Sequence, residues 1–181
     1  MTGEDDTGES TRDISCQKDW GEAPHIENFY GREQELSKVE QWIMEDHCRM
    51  VAILGIGGVG KTTFATKVAK QIKKNSFDYV YWRSLQNAPP LESILASFLR
   101  FVSNPRRMNL PKDLDEQISL LITSLREHHC LLILDNAESI LQAGQRVGQY
   151  LEGYEGYGRL FQRIGEAYHK SCLLQIGRAH V

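Results

Sequence analysis

Residues 55–63 read Gly55-Ile-Gly-Gly-Val-Gly60-Lys61-Thr62-Thr63 and constrain this chain more than any other stretch. They fit G-x-x-x-x-G-K-[ST], the phosphate-cradling P-loop pattern. A polyphosphate needs several backbone N–H donors converging on it, and only glycines let the main chain wrap that closely. Gly55, Gly57, Gly58, Val59 and Gly60 are thus candidate phosphate-binding positions. Lys61 adds a point charge, Thr62 a hydroxyl for Mg²⁺, and Thr63 continues the first turn of a helix whose N-terminal dipole favours anions. The setting agrees with the motif. An apolar run, Met50-Val-Ala-Ile-Leu54, reads as a strand ahead of the loop. Phe64, Ala65, Val68, Ala69 and Ile72 give one apolar face to a helix after it.

A second pattern stands 74 residues beyond Lys61: Leu131-Leu-Ile-Leu-Asp135 is a hydrophobic strand ending in an acid, the Walker B pattern. A carboxylate at such a strand tip can serve Mg²⁺ beside the phosphates. The next residue is Asn136, where many ATPases place an acid to orient the attacking water. Asn positions water but takes no proton. Slow hydrolysis is therefore expected. The nearest acid is Glu138, and the residues leave open whether it stands in. Lys61, Asp135, Asn136 and Glu138 are the candidate catalytic set, and Thr62 and Asp135 the candidate metal ligands.

Helical spacing predicts helices over residues 33–45, from 61 onward, after Pro89-Pro90, over about 112–126 and over about 159–168. Strands are predicted at 50–54, 79–82, 130–134 and 171–174. Strands alternating with helices imply an α/β fold with a parallel sheet. Residues 144–158 hold five glycines and a repeated Gly-Tyr, and read as a loop.

Charge isolates one end of the chain. The net charge is −3 over 181 residues, and residues 1–18 hold five acids against two bases. The other 163 residues hold 19 of each sign. Such an acidic, Gly/Ser/Thr-rich segment cannot repay its ordering entropy and is expected to be disordered. The balanced body shows no basic excess of the kind that duplex-binding surfaces carry, though a small basic patch fits within a neutral body, and no nucleic-acid partner is expected. No apolar run is long enough to span a membrane, and the first residues lack the charged and apolar regions of a secretory leader. A cytoplasmic protein is expected. Cys16, Cys48, Cys130 and Cys172 lie far apart without zinc spacing.

Ahead of the first helix stands Phe29-Tyr30-Gly31-Arg32-Glu33: two aromatics, a glycine and a cation. Taken in order with the glycine loop, Tyr81-Trp-Arg-Ser-Leu85 and Leu131-Leu-Ile-Leu-Asp-Asn136, it resembles the NB-ARC domain of STAND-class signalling ATPases. The similarity is to bacterial members, many with WD repeats downstream, and covers residues 19–174. The resemblance implies a P-loop NTPase three-layer sandwich and a bound adenine nucleotide, ATP or ADP, with Mg²⁺. It implies that Phe29, Tyr30, Gly31 and Arg32 line the adenine and ribose side, that Arg83 lies near the phosphates, and that the full-length parent oligomerises on activation. An origin-recognition-type AAA+ ATPase acting on DNA shares the Gly-Arg-Glu lead-in but prefers an acid at position 136. A non-hydrolysing nucleotide-binding scaffold is the other alternative. A GTPase would need an N/T-K-x-D signature, which is absent.

The family's domain continues past a fourth strand into an Arg-bearing sensor, a fifth strand and further domains. This sequence is therefore expected to be truncated after about the fourth strand, leaving the strand at 50–54 on an open sheet edge. Residues 176–181 match what a short-read sequencing adapter encodes in one frame before a stop codon, and Gln175 fits its preceding bases. Residues 175–181 are accordingly expected to be adapter read-through.

Overall fold

The computed structural model describes residues 15–72, 76–103, 109–143 and 148–179. Most of the acidic segment, part of the turn after the second helix and the start of the glycine-rich segment lie outside them. Five parallel strands form one sheet: β1 (Gln17–Asp19), β2 (Met50–Gly55), β3 (Tyr79–Ser84), β4 (Cys130–Asp135) and β5 (Cys172–Arg178), in the spatial order β1-β3-β4-β5-β2. The helices are α1 (Glu33–Met44), α2 (Lys61–Gln71), α3 (Leu91–Val102), α4 (Leu114–Glu127) and α5 (Glu155–Glu166), with a 3-10 turn at Ala137–Ile140.

The strand patterns explain the three layers. All six residues of β4 are buried. Cys130, Leu132 and Leu134 pack with α3, α4 and α5, whereas Leu131 and Ile133 pack with α1 and α2. A central parallel strand is covered on both faces and so reads as continuous apolar sequence. Tyr81 in β3 points to the first layer, and its neighbours Val80 and Trp82 point to the second. Local signals set the helix ends. Pro90 precedes α3, and the Asp113 carboxylate accepts the Glu116 N–H at 2.9 Å to cap α4.

Several boundaries differ from the sequence reading. Pairing begins at Gln17, inside the acidic segment, because β1 adds to the outer edge of β3 with Gln17 opposite Tyr79 and Asp19 opposite Tyr81. The final strand runs to Arg178 rather than 174, in register with β2 from Met50–Leu173 to Gly55–Arg178. Residues 180 and 181 of the segment expected to be adapter read-through lie outside the described residues. β2 pairs only with β5 and forms the other sheet edge, as expected.

The loop expected over residues 144–158 requires a correction. α5 starts at Glu155, so Gly156, Tyr157 and Gly158 are helical. A Cβ on Gly156 would stand 3.0 Å from Leu114 Cδ2 and 3.1 Å from Leu91 Cδ2. Close packing against α3 and α4, not turn formation, is what this glycine serves.

His169 is buried after α5 and its Nε2 lies 2.9 Å from the Ile164 carbonyl oxygen. Burial pushes its pKa down, so the folded chain resists a proton that the unfolded chain takes up near pH 6.5. Stability is complete above that pH and falls as the pH drops toward the folded value. The urea midpoint should decline between pH 7.5 and 5.5, and His169→Gln should flatten that decline.

Candidate functional site

The topology opens a crevice at the carboxyl ends of the strands. From β2 the chain passes to α2 on one face, while β3 and β4 lead to helices on the opposite face. In open α/β sheets ligands occupy such a switch point. The glycine loop fills the gap between β2 and α2. Gly58 and Gly60 adopt φ of +80° and +77°, which side-chain-bearing residues rarely adopt. No atom lies within 4 Å of a Cβ built on either glycine, so conformation rather than crowding requires them.

Lys61, the first residue of α2, folds back over this loop. Its Nζ donates to the carbonyl oxygens of Gly55 at 3.0 Å and Ile56 at 2.8 Å. A cavity of about 330 Å³ opens beside it, bordered by Gly57, Gly58, Gly60, Thr62, Asp135 and Glu138 among others. The structure thus brings the glycine loop, Lys61 and the end of β4 to one cavity, although β2 and β4 are separated by β5. Val59 is exposed at the loop tip.

The acids at the end of β4 differ in environment. Asp135 is buried, which raises its carboxyl, while the Thr62 hydroxyl and the Asn136 N–H (2.8 Å to Oδ1) favour the ionised form. Glu138 has one buried oxygen, Oε2, without a partner among the described residues, and its Oε1 lies 3.4 Å from Arg178 Nε. Asn136 takes a left-handed conformation, φ +55°, which Asn tolerates better than most residues. Its Nδ2 donates to Ser84 Oγ at 3.0 Å. This donor set fits a polyphosphate carrying a hard divalent cation. A hydroxyl and a carboxylate meet at Thr62 and Asp135, N–H donors and an ammonium line the loop, and Glu138 holds a buried oxygen without a proton donor.

Residues 29–32 stand elsewhere. Phe29 packs on Phe64 of α2 with ring centroids 6.3 Å apart. The Arg32 guanidinium covers the same ring at 4.6 Å and pairs with Glu35 at 2.8 Å. Tyr30 is 85% exposed, and Gly31 has φ +79°. None of the four borders the cavity at the glycine loop. Arg83, which the resemblance places near the phosphates, does not border the glycine-loop cavity. Both its terminal nitrogens donate to the Asp19 carboxylate, one also reaches Ser97 Oγ at 3.0 Å, and its plane lies 4.2 Å from the Tyr81 ring centre. It ties β1 to β3 and α3. Sequence reading missed this lock, and it missed Ser84 as the partner of Asn136.

A parallel sheet with a glycine cradle before α2 and a buried acid at the tip of β4 defines a P-loop nucleotide-binding domain. The chain matches the NB-ARC domain over residues 32–140, more than half its length, and belongs to the NB-ARC family. It is 49% identical over 167 residues to an uncharacterized WD repeat-containing protein of Nostoc sp., covering 88% of this chain and 13% of that protein. It is 38% identical over 95 residues to the regulatory protein AfsR of Streptomyces griseus, covering 50% and 10%. Against disease resistance protein RPS5 of Arabidopsis thaliana it is 31% identical over 121 residues, covering 65% and 14%. The chain spans only 10% to 14% of the length of these relatives. The family assignment replaces the origin-recognition alternative. Among the described residues no helix is long and apolar enough to cross a membrane.

Proposed function

We propose that this chain is the adenine-nucleotide-binding module of a signal-transduction switch ATPase, holding ADP or ATP with Mg²⁺. The observation that carries the reading is the convergence of Lys61, Thr62 and Asp135 on the glycine-loop cavity. In this reading the N–H groups of residues 55–60 and Lys61 hold the β- and γ-phosphates, and the first turn of α2 through Thr63 adds its dipole. Thr62 and Asp135 serve the cation. Phe29, Tyr30, Gly31 and Arg32 lie on the base side, at the face of α2 where Phe29 and Arg32 meet Phe64. Bound nucleotide would bias a two-state arrangement of the longer parent, which works in the cytoplasm and oligomerises on activation.

Hydrolysis is slow in this reading. Asn136 takes no proton, and its amide is engaged by Ser84. Glu138, with its unpartnered buried oxygen at the cavity, is the acid best placed to orient water.

Asp135→Asn tests the metal assignment. The substitution retains size but removes the charge that a divalent cation needs. Calorimetry should show Mg²⁺-dependent nucleotide binding weakened by about tenfold, the order of one charge-assisted contact. Metal-free ADP binding should persist. Equal loss of both would mean that residue 135 supports the fold rather than the cation.

A further inference from the structure

The segment ahead of α1 forms a strap along β3. Three features hold it there. β1 pairs with β3 as far as Tyr81. Asp19 receives the Arg83 guanidinium. Gly21, at φ +44°, lets the backbone press so close that a Cβ there would collide with the Trp82 carbonyl oxygen. The Ala23 N–H closes a turn on the Trp20 carbonyl at 2.8 Å. This brings the Glu22 side chain to the end of β3, where Oε2 accepts the Ser84 N–H at 3.1 Å. A side chain thereby completes an edge whose backbone partner has already ended.

Glu22 also borders a second cavity of about 330 Å³ with Thr62, Ser84, Asp135 and Asn136. Thr62, Asp135 and Asn136 line the glycine-loop cavity as well, so the two spaces meet at the side assigned to the metal. Among the described residues no lysine or arginine lines the second cavity, and Glu22 is its one carboxylate besides Asp135, although Arg83, which holds Asp19, also feels the Glu22 charge. Glu22 precedes the matched NB-ARC segment, residues 32–140.

A nucleoside triphosphate differs from a diphosphate by one anionic group, held next to the cation. A carboxylate across a small cavity repels that group more than it repels the phosphates of a diphosphate, since Coulomb repulsion falls with distance. We propose that Glu22 is the specificity-determining residue that favours a nucleoside diphosphate over a triphosphate, and that a triphosphate binds only as Glu22 leaves Ser84. The inference rests on the nucleotide-binding reading above. It adds a residue and a direction: the strap is seated with the diphosphate and released with the triphosphate.

The test is calorimetry on the whole chain with Mg²⁺ and two probes, ADP and the β,γ-imido analogue of ATP. For Glu22→Gln the ADP affinity should stay within about twofold while the analogue binds about tenfold more tightly, the scale of one removed charge repulsion. An unchanged ratio of the two affinities overturns the proposal. So does equal weakening of both, which would make Glu22 a structural clasp. Hydrogen exchange at the Ser84 amide supplies an independent readout in the unsubstituted chain. It should be slow with ADP and faster with the analogue, and equal protection refutes strap release. If the unsubstituted chain binds neither probe, the nucleotide-binding reading falls and takes this one with it.

Discussion

Lys61→Ala should reduce binding of both ADP and ATP by about a hundredfold or more, the scale of a charge-assisted phosphate contact worth roughly 3 kcal/mol. Lys61 is the cation within residues 55–63, with Arg178 bordering the same cavity from β5, and the lysine Nζ sits 2.8 to 3.0 Å from the carbonyl oxygens of Ile56 and Gly55. Phosphate oxygens can replace those carbonyls as partners, while the surrounding glycines supply only neutral N–H donors. The substitution should leave the fold intact. Lys61 opens α2 and is only half-buried, and alanine is the stronger helix former. Calorimetry and a denaturation curve on the same sample separate the two effects: affinity collapses at constant stability. Unchanged affinity would refute the phosphate-cradle assignment of residues 55–63.

What the sequence disclosed follows from how local each signal is. The glycine loop was legible because its requirement is written in consecutive residues, down to the positive φ at Gly58 and Gly60. β4 was legible because a strand covered on both faces must be apolar at every position. β1 was not, because Gln17, Lys18 and Asp19 have no strand propensity of their own and become a strand only by adding to β3. The partners of Arg83 were not legible for a related reason. Its position in a familiar motif pointed to phosphate, but its partners are Asp19 and Ser97, 64 and 14 residues away in sequence. Sequence reading gives Asn136 as a residue that positions water without taking a proton. The structure adds a conformational reason for an amide there: a left-handed turn off β4 whose side chain reaches Ser84.

Those non-local contacts converge on the same end of the sheet. Arg83 anchors the strap that presents Glu22. Ser84 donates its N–H to Glu22, and its hydroxyl oxygen accepts from the Asn136 amide. The end of β3 therefore links the strap to the residue after Asp135. One residue thus bridges the amino-terminal segment and the turn after β4, with hydrogen bonds at 3.1 and 3.0 Å on its two sides. In the proposed reading, this bridge joins two elements that can separate.

The glycine–tyrosine segment supports the opposite wall, and Tyr157→Ala should lower stability by about 4 kcal/mol, the usual cost of deleting a buried aromatic ring. Tyr157 is 0% exposed in the layer formed by α3, α4 and α5. Its hydroxyl donates to the Pro89 carbonyl at 2.9 Å, and burial keeps its phenol protonated. Tyr154 lies parallel to it at 6.3 Å and donates to the carbonyl oxygen of Ala88, a residue held at φ +44°. The two tyrosines thus clamp the strained turn that carries Gln86 and Asn87 to the second cavity. Tyr157→Phe keeps the ring and loses one hydrogen bond, so it should cost only about 1 kcal/mol. Urea denaturation of both variants checks the contrast. A loss of 4 kcal/mol is a large share of the 5–15 kcal/mol typical of a domain, roughly, so the alanine variant should be visibly marginal. Were the alanine variant no worse than the phenylalanine one, Tyr157 would belong to a surface loop, and the glycines at 156 and 158 would be there for flexibility rather than for packing.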